Sequence, residues 1–176
     1  MTQKHTSQDR PEKYPLGINQ KGEEITDPDE LPAKLIHYYE KLYGEALRHL
    51  GQGQASLAVI VAQTAIELCT EATVEELLRI QGVDEIREPI LDLFQSYNIC
   101  NEKLLRIINA LSNDKIQEAS FWQDLKRLNS LRNIIVHQGK ECSIDEAKQL
   151  IPAVGEYVEY THRIIEQKKY DLDLPN

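Results

Sequence analysis

Residues 56–69, SLAVIVAQTAIELC, decide the fold class of this chain. The apolar residues of this stretch surround a helix on nearly every side, and Glu67 is the only charge between His49 and Leu68. A helix that is apolar all round is packed by other helices. The sequence therefore predicts a helix over about 54–81 at the centre of a helical bundle.

Helical periodicity continues on both sides of this segment, and no stretch alternates apolar and polar residues for long enough to predict a strand. Glycines, capping residues and capping boxes set the expected helix ends. The predicted fold is an all-α bundle of about five or six helices. The first four expected helices span about 32–50, 54–81, 87–97 and 101–112, and Asn101 is the expected cap of the fourth. The fifth begins at the capping box Ser120–Gln123 and ends at Gly139. The sixth begins at the capping box Ser143–Glu146, is kinked at Pro152 and ends at about 168.

The chain divides into three parts by composition. Residues 1–31 form a polar arm punctuated by Pro11, Pro15 and Pro28, which predicts an extended or partly disordered segment that lies outside the bundle. Residues 32–170 are expected to form the helical domain, and residues 171–176 a short C-terminal tail.

Composition narrows the class of protein. The chain has 176 residues and a formal net charge of -9, which argues against coating of nucleic acid or anionic membrane through bulk charge. The longest uncharged run, residues 50–66, contains two Gly and three Gln, and no secretory signal opens the chain. Three widely spaced cysteines form no CxxC pair, which favours free thiols in a reducing cytoplasm over a disulfide frame or a zinc site. We expect a cytoplasmic protein without a membrane partner.

One group of residues has the composition of a reaction site. Arg132-Asn133-Ile134-Ile135-Val136-His137 places Arg, Asn and His at the C-terminal end of an amphipathic helix. Asn133 and His137 are four residues apart and share a face, and the long Arg132 side chain can bend toward it. Imidazole can move protons while guanidinium holds a phosphate, which is the outline of a metal-independent phosphodiester site.

The sequence contains no GxSxG, P-loop, HExxH or EF-hand motif, so it does not predict a serine hydrolase, nucleotide-binding, zinc-protease or calcium site. No cofactor or metal is therefore expected. The alternative interpretation of Arg132 and His137 is a surface arginine and a histidine that ends a helix. Residues 103–140 carry a net charge of +4 against -13 for the remainder, so the net charge of the chain does not argue against a focused RNA site. Within that segment, the predicted RNA-binding cations are Lys126, Arg127 and Lys140.

The pattern Arg132-Asn133-x-x-x-His137 matches the Arg-x4–6-His motif of the HEPN superfamily, including the polar residue after the arginine. Residues 56–69 resemble the buried early helix of these domains, and residues 137–151, HQGKECSIDEAKQLI, resemble their turn into the last helix. The resemblance covers roughly residues 33–168. It implies an α-helical bundle that dimerises and brings two such motifs into one composite cleft.

The resemblance also implies a function. Many HEPN proteins are metal-independent endoribonucleases of toxin, defence or RNA-processing systems, which leave a 2′,3′-cyclic phosphate. His137 would then transfer protons, Arg132 would clamp the phosphate and Asn133 would orient them. Other members only bind or dimerise, or pair with an antitoxin such as a minimal nucleotidyltransferase, for which Tyr157 and Tyr160 are possible acceptors. The expected partners are a second copy, an RNA substrate and, alternatively, such a protein.

Several further residues have two interpretations each. Glu67 is a possible supporting residue that either pairs with Arg132 or His137, or faces solvent or a partner subunit through a gap in the bundle. The tyrosines of the first helix and Trp122 could stack RNA bases, but helical spacing favours the core or a dimer interface. These tyrosines are Tyr38, Tyr39 and Tyr43.

Overall fold

The architecture is that of a computed structural model, which describes residues 31–83, 89–91 and 96–173. Six α-helices occur in these ranges, together with one short 3-10 turn, and no strand occurs there. The prediction of an all-α bundle is therefore confirmed. The predicted polar arm, except Leu31, lies outside the described residues, and so does most of the predicted helix 87–97, of which residues 89–91 are helical.

The first two helices form a hairpin. Helix α1 spans Leu31–Gly51 and helix α2 spans Ala55–Ile80, within one residue of the predicted bounds. Gly53 between them has φ +77°, a conformation that favours glycine. The two helices make the most extensive contact in the fold, because fully buried alanines of α2, such as Ala58 and Ala62, let α1 approach closely.

The next two helices follow a loop at residues 96–101. Helix α3 spans Glu102–Ser112, and Asn101 caps it as predicted by accepting a hydrogen bond from the Lys103 amide. After the 3-10 turn Ile116–Glu118, helix α4 spans Trp122–Gln138. The predicted capping box at Ser120 is wrong: the α4 N-cap is Phe121 in helical conformation, and the Ser120 hydroxyl donates to Glu156 instead, at 3.4 Å.

The predicted last helix is two helices. Helix α5 spans Ile144–Leu150 and helix α6 spans Pro152–Asp173, so the chain turns at Ile151 rather than kinking. Pro152 has no amide hydrogen to continue the ladder of α5, but its fixed φ suits the first residue of a new helix. The capping role of Ser143 is confirmed, because its Oγ accepts from the Glu146 amide at 3.2 Å.

Helix α2 lies at the centre of the bundle and packs against α1, α3, α4, α5 and α6. Its packing on every side, however, is only partly as predicted. Leu57 is 42% exposed and Thr64 is exposed, while Ile60, Val61 and Leu68 are half-buried. We call Leu57, Ile60, Val61, Thr64 and Leu68 the open face of α2.

Buried hydrogen bonds tie α2 to α6. The Thr70 and Tyr157 hydroxyls are 2.7 Å apart, and the Cys69 thiol lies 3.3 Å from the Thr161 hydroxyl. At the end of α2, the Glu76 carboxylate accepts from Arg79 and from Lys169 of α6. Burial without these partners would cost each polar group about 1–3 kcal/mol, so the hydrogen bonds fix the register of the two helices.

Candidate functional site

Helix α4 positions the Arg-Asn-His group by burying one side and ending sharply. Trp122, Leu125, Leu128 and Leu131 face the core. The helix ends at Gly139, whose φ of 63° is left-handed and whose amide bonds to Ile135 O at 3.1 Å, as the sequence predicted. The last turn of α4 is thereby a fixed end, and His137 lies in it.

The three motif side chains lie in the last turns of α4. Asn133 and His137 are exposed, and Arg132 is half-buried. Arg132 Nη1 donates to Asn133 Oδ1 at 3.3 Å. Asn133 therefore restrains the guanidinium, while the imidazole one turn further along is open to solvent and to a ligand. A phosphate near this end could meet a guanidinium, an amide and an imidazole together.

The loop after the motif is anchored to α2. The Cys142 amide donates to the Ser56 Oγ at 2.9 Å. Ser56 precedes Leu57, the first residue of the open face of α2, so this bond ties the loop after the motif to the N-terminal end of α2.

The electrostatic surroundings of the motif are basic. Asp124 is the only carboxylate of α4, and Arg127 neutralises it at 3.2 Å. Arg127 also donates to Gln149 of α5, so this predicted RNA-binding residue has its guanidinium engaged within the protein. Lys126 and Lys140 are exposed and lie on either side of the motif along the chain.

Glu67 is half-buried beside the open face of α2. Gln63 Nε2 donates to its Oε1 at 3.4 Å. Between the described side chains of Glu67 and of Arg132 or His137, the structure has no hydrogen bond or ion pair. Of the two interpretations, the geometry thus favours a carboxylate at a gap in the bundle over one paired with the motif.

The tyrosines and the tryptophan separate in the structure. Tyr39 and Trp122 are in the core at 2% and 7% exposed, whereas Tyr38 is 52% exposed and Tyr43 is half-buried. Tyr39 also contacts His162 Nε2 at 2.5 Å, which joins α1 to α6. Tyr38 is therefore the one of these four with a ring available for stacking.

The two tyrosines considered as acceptors for a nucleotidyl group are buried. Tyr157 is fully buried against Thr70, and Tyr160 is 6% exposed. Burial also raises the pKa of both phenols well above the ordinary value, and the Asp114 carboxylate adds to the rise at Tyr160. Modification of either one would require α6 to move.

All three cysteines are free thiols, as expected, and none has a thiolate character that would suit a nucleophile. Burial raises the pKa of Cys69 to about 12 and that of Cys100 to about 11, although the nearby Lys126 ammonium acts in the opposite direction at Cys100. Cys142 has a raised pKa for the same reason, burial, with Glu146 adding to it.

The described residues contain no group of three His, Cys, Asp or Glu side chains that could hold a metal ion. In the same part of the chain, α2 alone is long and apolar enough to cross a membrane by length and composition, and 61% of its most apolar window is buried inside the bundle. A mostly buried core helix meets that criterion as readily as a membrane span does.

Sequence reasoning missed the open face of α2, because an apolar residue on a helix has the same pattern whether it meets the core or a partner. Thr64 and the charged Glu67 interrupt the apolar pattern on one side of α2. These two residues were the sequence signal from which the open face could have been predicted. Comparison of the chain with protein-family models, with curated proteins and with solved structures finds no match.

Proposed function

We propose that this protein is a metal-independent endoribonuclease of HEPN type that acts as a homodimer in the cytoplasm on single-stranded or loop RNA. The observation that supports the proposal is the set of half-buried Arg132 and exposed Asn133 and His137 at the fixed end of a helix whose only carboxylate is already neutralised. A guanidinium and an imidazole at one surface suit a phosphodiester anion, and no acidic group of α4 competes with it.

The reaction needs only groups that the chain and the RNA supply. The ribose 2′-oxygen attacks the adjacent phosphorus and loses its proton to an imidazole, while the bond from phosphorus to the 5′-oxygen breaks. The leaving 5′-oxygen takes up a proton from a second, protonated imidazole, so the products are a 2′,3′-cyclic phosphate and a 5′-hydroxyl. Arg132 stabilises the negative charge on the phosphoryl oxygens, and Asn133 holds the guanidinium in place.

The second imidazole is the reason to propose a dimer. His137 is the only histidine of α4, and the contact between Ser56 and Cys142 ties the loop after it to the end of α2 at which the open face begins. A second copy packed on this face would remove Leu57 and its apolar neighbours from water and bring its own His137 near the first. Such a two-fold arrangement gives one acid and one base from a single residue type.

An assay in the presence of EDTA tests the proposal. The wild-type protein should cut a single-stranded RNA and leave cyclic phosphate ends, and should leave the same sequence made of DNA intact because it has no 2′-hydroxyl. Arg132→Ala and His137→Ala should each lower cleavage by at least about a hundredfold, the usual scale for loss of a general acid-base group.

Two matched variants control for charge and fold. Arg106→Ala removes an exposed arginine of α3, and His49→Ala removes a histidine at the end of α1, both outside the motif. Both controls should cut RNA as the wild type does, and all four variants should keep the wild-type helicity in circular dichroism. Normal cleavage by both motif variants would rule out this site.

A second candidate, a non-catalytic helical interaction module, is favoured by the open face of α2 alone. An exposed apolar face marks a surface for protein contact whether or not the chain is an enzyme. This candidate predicts no cleavage of any RNA and unchanged self-association in Arg132→Ala and His137→Ala. The same two variants therefore separate the two functions.

A further inference from the structure

The outermost face of α4 carries a continuous polar ridge. Lys126, Ser130, Asn133 and His137 follow one another at intervals of four, three and four residues, which keeps them within about 60° of one another around the helix. All four are exposed. From Lys126 to His137 the ridge is about 16 Å long at 1.5 Å per residue.

This ridge, unlike the outer side of α6, has no carboxylate. The outer side of α6, by comparison, presents Glu156, Glu159 and Glu166 around Arg163. In a chain with 29 acidic and 20 basic residues, a surface helix face without an acid is a departure from the composition. Removal of carboxylates is what a surface needs if it is to lie along a polyanion.

The groups on the ridge keep hydrogen-bonding capacity for a ligand. Among the described residues, Lys126 and His137 have no ion-pair partner, and the Ser130 hydroxyl donates to the carbonyl oxygen of Lys126 in its own helix. Asn133 uses its oxygen for Arg132 and keeps its amide NH2 group. Beside the ridge, the contact of Asn98 with Asn129 at 2.7 Å holds the loop 96–101 in place.

We infer that the ridge is the track on which the nucleic-acid strand lies to one side of the cut, with the Lys126 ammonium neutralising a phosphate at its far end. The inference rests on the proposed function and adds a binding subsite to it. At about 3.4 Å per stacked nucleotide, the ridge accommodates about five nucleotides, and fewer if the strand is extended. Because no aromatic ring lies on the ridge to stack on a base, the ridge contacts the phosphates and sugars of the strand rather than its bases.

Substrates of defined length test this subsite. DNA oligonucleotides with a single ribonucleotide fix the position of the cut, and they are extended stepwise on the 5′ or on the 3′ side. For the wild type, kcat/KM should rise with extension on one side only and level off after about five nucleotides. Extension on the other side should leave it nearly constant.

The variant Lys126→Ala should abolish this length dependence, so that long and short substrates have the same kcat/KM, about fivefold below the wild-type value on the long one. The slope of log K against log salt for the long strand should become shallower by about 0.7, as expected when one phosphate of a single strand is no longer neutralised by the protein. Lys148→Ala, which removes an exposed lysine of α5 away from the ridge, should keep the wild-type length dependence and slope.

The outcomes separate this inference from the function on which it rests. If the wild type cuts no substrate at all, the proposed function fails. If the wild type cuts every substrate equally well regardless of extension, or if Lys126→Ala and Lys148→Ala behave alike, the track is overturned while the function stands. Both variants should have the wild-type midpoint temperature of thermal unfolding, which would show that each is folded.

Discussion

Two surfaces of the bundle, the partly exposed open face of α2 and the exposed outer ridge of α4, are opposite in chemistry. The open face is apolar over Leu57, Ile60, Val61 and Leu68, with Thr64 as its only hydroxyl. The ridge has cations, an amide and a hydroxyl and no apolar side chain. The apolar side chains of the open face form no hydrogen bonds with water, whereas the polar side chains of the ridge do.

The difference shows that exposure alone does not indicate function. An apolar face gains free energy by removal from water, about 25 cal/mol per Å2 buried, so it suits a protein partner. A ridge of cations and amides gains by replacing counterions with phosphates, so it suits a nucleic acid. Ser56 of α2 accepts from the Cys142 amide, so the loop after His137 is tied to the helix that carries the open face.

A charge placed on the open face gives the largest expected effect. Leu57→Glu would bury a carboxylate without a partner in the proposed interface, a cost of about 3–5 kcal/mol, and a two-fold interface contains it twice. Association should weaken by at least about a hundredfold, measured as a change from dimer to monomer mass in analytical ultracentrifugation.

Leu172→Glu is the matched control, because this residue near the end of α6 is also exposed, at 59%, but lies outside the open face. The control should keep the dimer mass. A wild-type protein that is monomeric at high concentration, or a Leu57→Glu variant that remains dimeric, would contradict the assignment of this face.

Substitution of two threonines of α2, one on its buried side and one on its open side, allows the two sides to be compared. Thr70 is fully buried, and its hydroxyl lies 2.7 Å from that of Tyr157, whereas Thr64 is exposed and bonds only to Ile60 O of its own helix. Thr70→Val leaves the phenol of Tyr157 without that partner and should lower the free energy of unfolding by about 1–3 kcal/mol.

Thr64→Val makes the same chemical change on the open face, where it should alter the free energy of unfolding by no more than about 0.5 kcal/mol. Urea unfolding followed by circular dichroism measures both values. Equal effects of the two substitutions would mean that the two sides of α2 do not differ in burial as described.

The helix ends were largely predictable because their signals are local. Asn101, Ser143 and Gly139 each act on residues within one turn, so sequence spacing contains the whole interaction. The failure at Ser120 has a tertiary cause: its hydroxyl meets Glu156, a residue 36 positions away that only the packing of α6 brings close. Pro152 was identified as a disturbance, but whether proline kinks one helix or begins another depends on the backbone before it.

The shared helix of the candidate residues was predictable, and their contacts with other helices were less so. Arg132, Asn133 and His137 lie on one helix, so their spacing determines their shared end. Whether Glu67 pairs with the motif or faces a gap in the bundle depends on two helices, and the relative rotation of two helices is set by packing that spacing does not encode. For the same reason, sequence alone did not distinguish Arg127, which is engaged by Asp124 and Gln149, from the ridge cation Lys126.

Two carboxylates of α2 extend the comparison to pH. Hydrogen bonds from Arg79, opposed by burial and aided by Lys169, lower the pKa of Glu76 below 4.5. Burial raises the pKa of Glu71 above the same value. Ionised Glu76 therefore stabilises the fold above pH 4.5, and this contribution is lost as the pH falls through its lowered pKa. Ionised Glu71 has the opposite sign: it costs stability above its raised pKa, and the cost disappears as the pH falls.

Substitution of each carboxylate by its uncharged amide should thus have opposite effects. At neutral pH, Glu76→Gln should lower the free energy of unfolding by about 1 kcal/mol, the scale of hydrogen bonds to a charged group that is partly screened. Glu71→Gln should raise it by no more than about 0.5 kcal/mol, since this residue is only half-buried.

Both differences should vanish in urea titrations carried out well below pH 4.5, where the wild-type carboxyls are protonated as well. A difference that persists there would come from packing of the amide rather than from charge, and a loss of stability in Glu71→Gln at neutral pH would mean that a cation, such as one from a second copy, pairs with this carboxylate.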